Sequence, residues 1–183
     1  VFTPRDRDWQ KNEAIVDNDA PEAGGIYQET NGKYAWNEGG TGFAYRQAYY
    51  QDGDNPFMDG SCRVIESVTG RKEPSTALWC PVVPEDGDYA VYVSYRTFPN
   101  SVDDARYIVR HQGIDTPFTV NQQMGGGTWV YLGTFRFDAG DLNNNCVILT
   151  NQSSSRGLVS ADAVRLGGGM SNIVRSDSTM SYA

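Results

Sequence analysis

The strongest pattern along the chain is alternation with a period of two. In DYAVYVSYR (88–96), Tyr89, Val91, Val93 and Tyr95 share one face, and Ala90, Tyr92, Ser94 and Arg96 share the other. ARYIVRHQ (105–112) sets Tyr107, Val109 and His111 against Ile108 and Arg110. TWVYLGTFRF (128–137) sets Trp129, Tyr131, Phe135 and Phe137 against Val130, Leu132, Thr134 and Arg136, and CVILTN and GLVSADAVRL continue the series. Turn-forming clusters (PEDGD, PNSVDD, HQGID, MGGG, DAGDLNNN, QSSSRG) divide these runs at intervals of about eight to twelve residues. No ten-residue stretch carries an amphipathic helical stripe. The pattern predicts an all-β fold, an antiparallel β-sandwich. Tyr89, Val91, Val93, Tyr107, Val109, Val147 and Leu149 are expected to face its interior.

The first third is less regular. EAIVDN (13–18), GKYAWNEG (32–39), CRVIESV (62–68) and STALWCPVV (75–83) read as strands. Between them, GFAYRQAYYQDGDNPFMDGS (42–61) reads as a long surface loop around a short strand, the kind of segment in which binding residues gather. After Leu166 the composition turns small and polar, as in a linker. The expected organisation is an N-terminal linker segment at 1–12, a β-sandwich domain at 13–167 and a C-terminal tail at 168–183.

Composition narrows the function classes. A chain of 183 residues suits one domain with a real core. The net charge of −8, with no basic stripe, argues against a nucleic-acid partner. No segment reaches the roughly 18 consecutive apolar residues of a membrane span. The opening VFTPRDRDWQ lacks the apolar core of a signal peptide, so a mature or excised segment is expected. Cys62, Cys80 and Cys146 match no zinc spacing, and an odd number leaves at least one free. Cys80 and Cys146 lie in apparent strands and are expected as small, inert core thiols. A Cys62–Cys80 bridge stays open if the compartment is oxidising.

Candidate chemistry is sparse. The triplet Gly125–Gly127 lacks the helix and lysine that follow a phosphate-cradling loop, so it reads as a turn between strands, with Gln122, Gln123 and Trp129 as scaffold. His111 is the sole histidine, no G-x-S-x-G or H-E-x-x-H occurs, and His111 reads as a hydrogen-bonded structural residue. Sugars ask for flat aromatics beside hydrogen-bonding side chains. Trp36, Tyr45, Tyr49 and Tyr50, with Arg46, Asp52 and Asp54, supply that mixture in the irregular region and are the candidate ligand-binding residues. Trp79 and Trp129 are expected in the core.

IVDN (15–18), GDYAVYVSY (87–95), RYIVRHQG (106–113), TVNQQMGGGTWVYLGTFRF and VSADAVRL occur in an order that resembles the golvesin C-terminal-like domain, also described as the carbohydrate-binding-like domain of bacterial xanthan lyases. The resemblance runs from about residue 15 to 166. It implies a non-catalytic accessory module of a secreted, periplasmic or cell-surface enzyme degrading polysaccharide or peptidoglycan, with that glycan and the parent catalytic domain as partners. Xanthan lyase-like and N-acetylmuramoyl-L-alanine amidase-like enzymes are the implied parents, and no catalytic residue is carried over. The alternatives are an interdomain packing module with no free ligand, or a lyase or glycosidase in its own right. More distantly the chain resembles galactose-binding-like jelly rolls, in several of which an aspartate at the position of Asp162 helps hold a structural calcium. No cofactor is expected otherwise. Asp162, on the face of Ser160, Val164 and Leu166, should point inward, with Asp17 and Asn18 beside it if the chain ends meet. Backbone donors are the expected partners of its carboxylate, with calcium the alternative.

Overall fold

The computed structural model describes residues 13–19, 24–42 and 60–167. In chain order its strands are β1 (Glu13–Asp17), β2 (Gly25–Thr30), β3 (Asn37–Thr41), β4 (Ser61–Glu66), β5 (Thr76–Pro81), β6 (Gly87–Val93), β7 (Ala105–His111), β8 (Ile114–Val120), β9 (Val130–Phe137), β10 (Cys146–Thr150), β11 (Leu158–Ala161) and β12 (Ala163–Gly167). They form a four-stranded sheet, β1-β12-β6-β9, a five-stranded sheet, β2-β5-β10-β7-β8, and a three-stranded sheet, β11-β4-β3. Every strand pair is antiparallel. The two larger sheets face each other, with β1 and β12 against β5 and β9 against β7. The chain is an all-β antiparallel sandwich.

The core lies where the alternation places it. Tyr89, Val91 and Val93 from one sheet and Tyr107, Val109, Val147 and Leu149 from the other are all completely buried. Trp79 joins them, its ring 5.5 Å from that of Tyr27. Two strands escape the sequence pattern. β2 is short and polar toward its end, and β8 contains Pro117. The proline is tolerated because β8 is an edge strand.

Three expectations are corrected. First, strict alternation fails in β9: Val91 pairs with Gly133 but Tyr92 pairs with Tyr131, so Leu132 is an extra residue. That bulge inverts the faces on its N-terminal side. Tyr131 turns out to solvent, 56% exposed, while Val130 and Leu132 pack against the core. Trp129, just before the strand, is half-buried rather than core. Second, the disulfide is Cys80–Cys146, and Cys62 is the buried free thiol. Since Val147 pairs with Trp79, the next pair along β5 and β10 brings Cys146 opposite Cys80. Third, VSADAVRL is two strands. β11 pairs with β4 and β12 with β1 and β6, so the chain changes sheets at Asp162.

Candidate functional site

The change of sheet at Asp162 opens a cleft of about 310 Å³ at one end of the sandwich. Its walls come from three places: Thr41 and Gly42 at the end of β3, Tyr95–Thr97 after β6, and Gly126–Gly127 in the turn before β9. Asp162 lies at its inner end. The glycine triplet is a turn, as its sequence predicts, and also one wall of the cleft. Gly125 and Gly127 have φ of 79° and 73°, the left-handed region that side chains resist. A Cβ on Gly126 would stand 2.5 Å from the Thr97 nitrogen, so only glycine lets this turn lie against 95–97.

Hydrogen bonds fix that wall. Tyr95 is buried, and its hydroxyl donates to the Met124 carbonyl at 2.7 Å. Gly127 N donates to the Tyr95 carbonyl at 2.9 Å, and Gly126 N to Thr97 Oγ1 at 3.0 Å. On the opposite side, Arg96 N donates to Ser160 Oγ at 3.0 Å. The exposed Arg96 guanidinium donates to the Gly39 carbonyl at 3.1 Å and lies 5.1 Å from the Phe98 ring centroid. It therefore stands at the rim, and among the described residues only the Gly39 carbonyl takes a hydrogen bond from its guanidinium.

Beneath the cleft β1 pairs with β12, which meets the condition on which the sequence sets Asp17 and Asn18 beside Asp162. Asp17 and Asp162 are both buried. Asn18 N donates to the Asp162 carbonyl at 3.2 Å, which also accepts from Trp79 Nε1 at 3.3 Å. Asp17 Oδ1 accepts from Asp19 N at 2.9 Å, while Asp17 Oδ2 is buried without a hydrogen-bond partner. Burial, then the charge of Asp162, pushes the Asp17 carboxyl up to about 10. The Cys62 thiol is pushed up to about 11, first by burial and then by the same charge, so Cys62 is an unreactive thiol.

A second cavity of about 340 Å³ lies between Tyr27, Glu29, Glu38, Ser61 and Arg63. Its polar groups largely satisfy one another. Arg63 holds Glu29 through Nε at 2.8 Å and Nη2 at 3.0 Å and reaches Glu38 at 3.1 Å, while Tyr27 donates to Glu29 at 2.6 Å. It offers a ligand less than the first cleft does.

Of the ligand-binding residues expected from sequence, Trp36 is a core residue, 5% exposed, with Nε1 donating to the Thr76 carbonyl at 3.0 Å. Its ring offers no free face for a sugar. Tyr45, Arg46, Tyr49, Tyr50, Asp52 and Asp54 lie outside the described residues. Gly42 N donates to the Gly60 carbonyl at 3.1 Å, so the described ends flanking them meet beside the cleft. His111 is half-buried, its ring 4.8 Å from Phe135, with Nδ1 buried and unpartnered. Packing, rather than a hydrogen bond through Nδ1, holds it. Arg96 and Thr97 were missed because alternation treats them only as the polar end of a strand. No local signal joins them to the glycine turn, which lies two strands further along the chain.

Comparison with known proteins agrees with this architecture. Residues 60–168 match the family model of the Golvesin C-terminal domain. A xanthan lyase of Bacillus sp. (strain GL1) is 33% identical over 96 residues, 51% of this chain and 10% of the relative. The solved structure of a Paenibacillus xanthan lyase superposes with a TM-score of 0.63 at 28% identity, over 87% of this chain and 13% of that one. A mannan binding module from Man5C matches more loosely, with a TM-score of 0.38 and 18% identity over 58% of this chain and 81% of the module. The chain thus spans about a tenth of the lyases it matches, and over residues 60–168 it is a member of the golvesin C-terminal domain family.

Proposed function

We propose that this chain is a non-catalytic glycan-binding accessory module of a secreted polysaccharide-degrading enzyme, and that the cleft between Arg96 and the glycine turn receives the sugar. The observation carrying this reading is that a self-contained sandwich core matches only 10% of a xanthan lyase, which leaves the bulk of that protein outside the match. The cleft's chemistry supports it. Thr41 and Thr97 hydroxyls, the Arg96 guanidinium and glycine backbone suit a polyhydroxylated ligand. The buried Cys80–Cys146 bridge supports an oxidising, extracytoplasmic location. Among the described residues no helix is long and apolar enough to cross a membrane.

A glycan array followed by titration calorimetry on xanthan and peptidoglycan fragments tests the proposal. Binding with Kd in the micromolar to millimolar range, weakened at least tenfold by Arg96→Ala without loss of fold, is expected. Absence of binding to every glycan would favour an interdomain packing role, and turnover by the chain alone would favour an enzyme.

A further inference from the structure

The extra residue at Leu132 turns the first half of β9 over and carries Trp129 and Tyr131 to the outer face of the four-stranded sheet. There one residue from each strand lies on a single transverse line. Ile15, Arg165, Tyr92 and Tyr131 are successive partners across β1, β12, β6 and β9. Val164 and Leu166 lie in the core, so Arg165 between them points to the outer side. Bulges commonly re-aim a side chain beside a functional site. This one leaves Tyr131 56% exposed, the one exposed aromatic among the described residues, while Val130 and Leu132 pack against the core.

The aromatic groups on this face are held in place. The rings of Tyr92 and Tyr131 lie 5.5 Å apart, tilted by 52°. The Tyr131 and Thr134 hydroxyls share a hydrogen bond of 2.8 Å. The Arg165 guanidinium lies 5.5 Å from the Tyr92 ring centroid and 5.9 Å from that of Trp129, with Nε 2.7 Å from the Glu13 carboxylate. Glu13 thus balances the one charge among the rings. A surface fixed in advance loses little freedom when a ligand arrives.

Chemistry and position select the occupant. The large aliphatic side chains of β9 face the core, so the outer side offers aromatic rings and hydroxyls rather than the aliphatic surface of a protein interface. The electron-rich face of an aromatic ring attracts the C–H face of a pyranose. Thr134, with Asp88 and Arg136 paired on the same side of β6 and β9, supplies donors and acceptors for sugar hydroxyls. Two tilted rings suit successive units of a twisted, soluble chain better than a flat crystalline surface. The same two strands also run into the cleft: residues 95–97 follow β6, and Gly126–Gly127 precede β9. Gly127 and Tyr131 are four residues apart, at most about 14 Å of chain, so one polymer can occupy both places.

We propose that Tyr92, Trp129 and Tyr131 form a stacking platform for successive pyranose rings of a soluble polysaccharide chain that continues into the cleft. The proposal rests on the reading of this chain as a glycan binder, but it assigns a different surface.

Titration calorimetry of the whole chain with xanthan and peptidoglycan fragments of graded length tests it. Affinity of the wild type should rise with fragment length. Tyr131→Ala should abolish that rise and weaken binding of the longest fragments by about tenfold or more, with an unchanged melting temperature. Tyr131→Thr, which keeps the strand preference of the position, should lose binding equally. Tyr131→Phe retains the ring and should bind within about twofold of wild type. Binding weakened by Arg96→Ala but untouched by Tyr131→Ala and Tyr131→Thr would overturn the platform and leave the cleft as the site. The reverse result would keep the platform and remove the cleft, and no binding to any fragment would overturn both.

Discussion

Gln122 shows how one polar side chain can substitute for a strand. It is fully buried, donates through Nε2 to the Ser160 carbonyl at 2.9 Å and to the Tyr107 hydroxyl at 3.1 Å, and accepts from Ser160 N at 2.8 Å. The pair of bonds to Ser160 reproduces what a neighbouring backbone would give β11 at this point. Gln122→Leu keeps the volume but orphans both Ser160 groups. A loss of about 3 kcal/mol is expected, lowering the melting temperature by roughly 6–12 °C in a domain of this size. A melt within 1 °C of wild type would show that the bonds are dispensable. Asp104 is the residue through which acid should act. Burial by itself raises its pKa, but Ser153 and Ser154 donors, helped by Arg106, outweigh that and hold the carboxyl below its ordinary value. A group depressed in the folded state stabilises the fold above its unfolded pKa, about 3.9, and that contribution is lost as pH falls through the folded value. Asp104→Asn should therefore cost about 1–2 kcal/mol at pH 7. Urea midpoints of variant and wild type should draw together progressively as pH falls below the ordinary carboxylate value, and a constant gap across that range would refute the linkage.

At the scale of elements, the disulfide makes the sharpest prediction. Cys80 and Cys146 lie on neighbouring strands and are 66 residues apart in sequence. Closing a loop of that length removes about 4 kcal/mol of unfolded-chain freedom in the entropic account. Cys80→Ala with Cys146→Ala should shift urea unfolding by a comparable amount, and thiol titration of denatured, unreduced protein should find one thiol, Cys62. Three thiols would place the bridge in doubt. This pairing was invisible in the sequence, because β5 and β10 read as separate strands whose register nothing local specifies. What could be read was each strand's facing wherever both neighbours kept a regular ladder, as in β7 and β10, or where the strand was the unbulged member of its pair, as in β6. The extra residue at Leu132 could not be read. A bulge obeys the partner strand, so TWVYLGTFRF looks regular while its first half is inverted. The candidate site divides the same way. Asp162 was legible as an inward carboxylate, with Asp17 and Asn18 for neighbours on the condition that the first and last strands meet; parity did not decide it, since residues 159–164 are all buried across the break between β11 and β12. Its place at a crossover between sheets, and Arg96 and the glycine turn as cleft walls, depend on three segments meeting in space.

For the molecule as a whole, the sandwich puts its cleft beside the crossover at Asp162, next to the pairing of β1 with β12. On the proposed reading, the module acts by retention: a polymer held in the cleft stays near a catalytic domain that would otherwise lose it between turnovers. A tethered site experiences an effective concentration on the order of 1 mM, so a module with a Kd of about 0.1 mM would raise occupancy of the polymer about tenfold. Oligosaccharides too short to span cleft and active site gain nothing from the tether. Removing the module from its parent enzyme should then lower kcat/KM on polymeric substrate by up to about tenfold and leave kcat/KM on short oligosaccharides unchanged. Arg96→Ala in the intact parent should reproduce the polymer-specific loss, because it alters the cleft and leaves the core alone. Equal losses on polymer and oligosaccharide would mean that the domain supports the catalytic fold by packing, and intact activity on both would remove retention as its role.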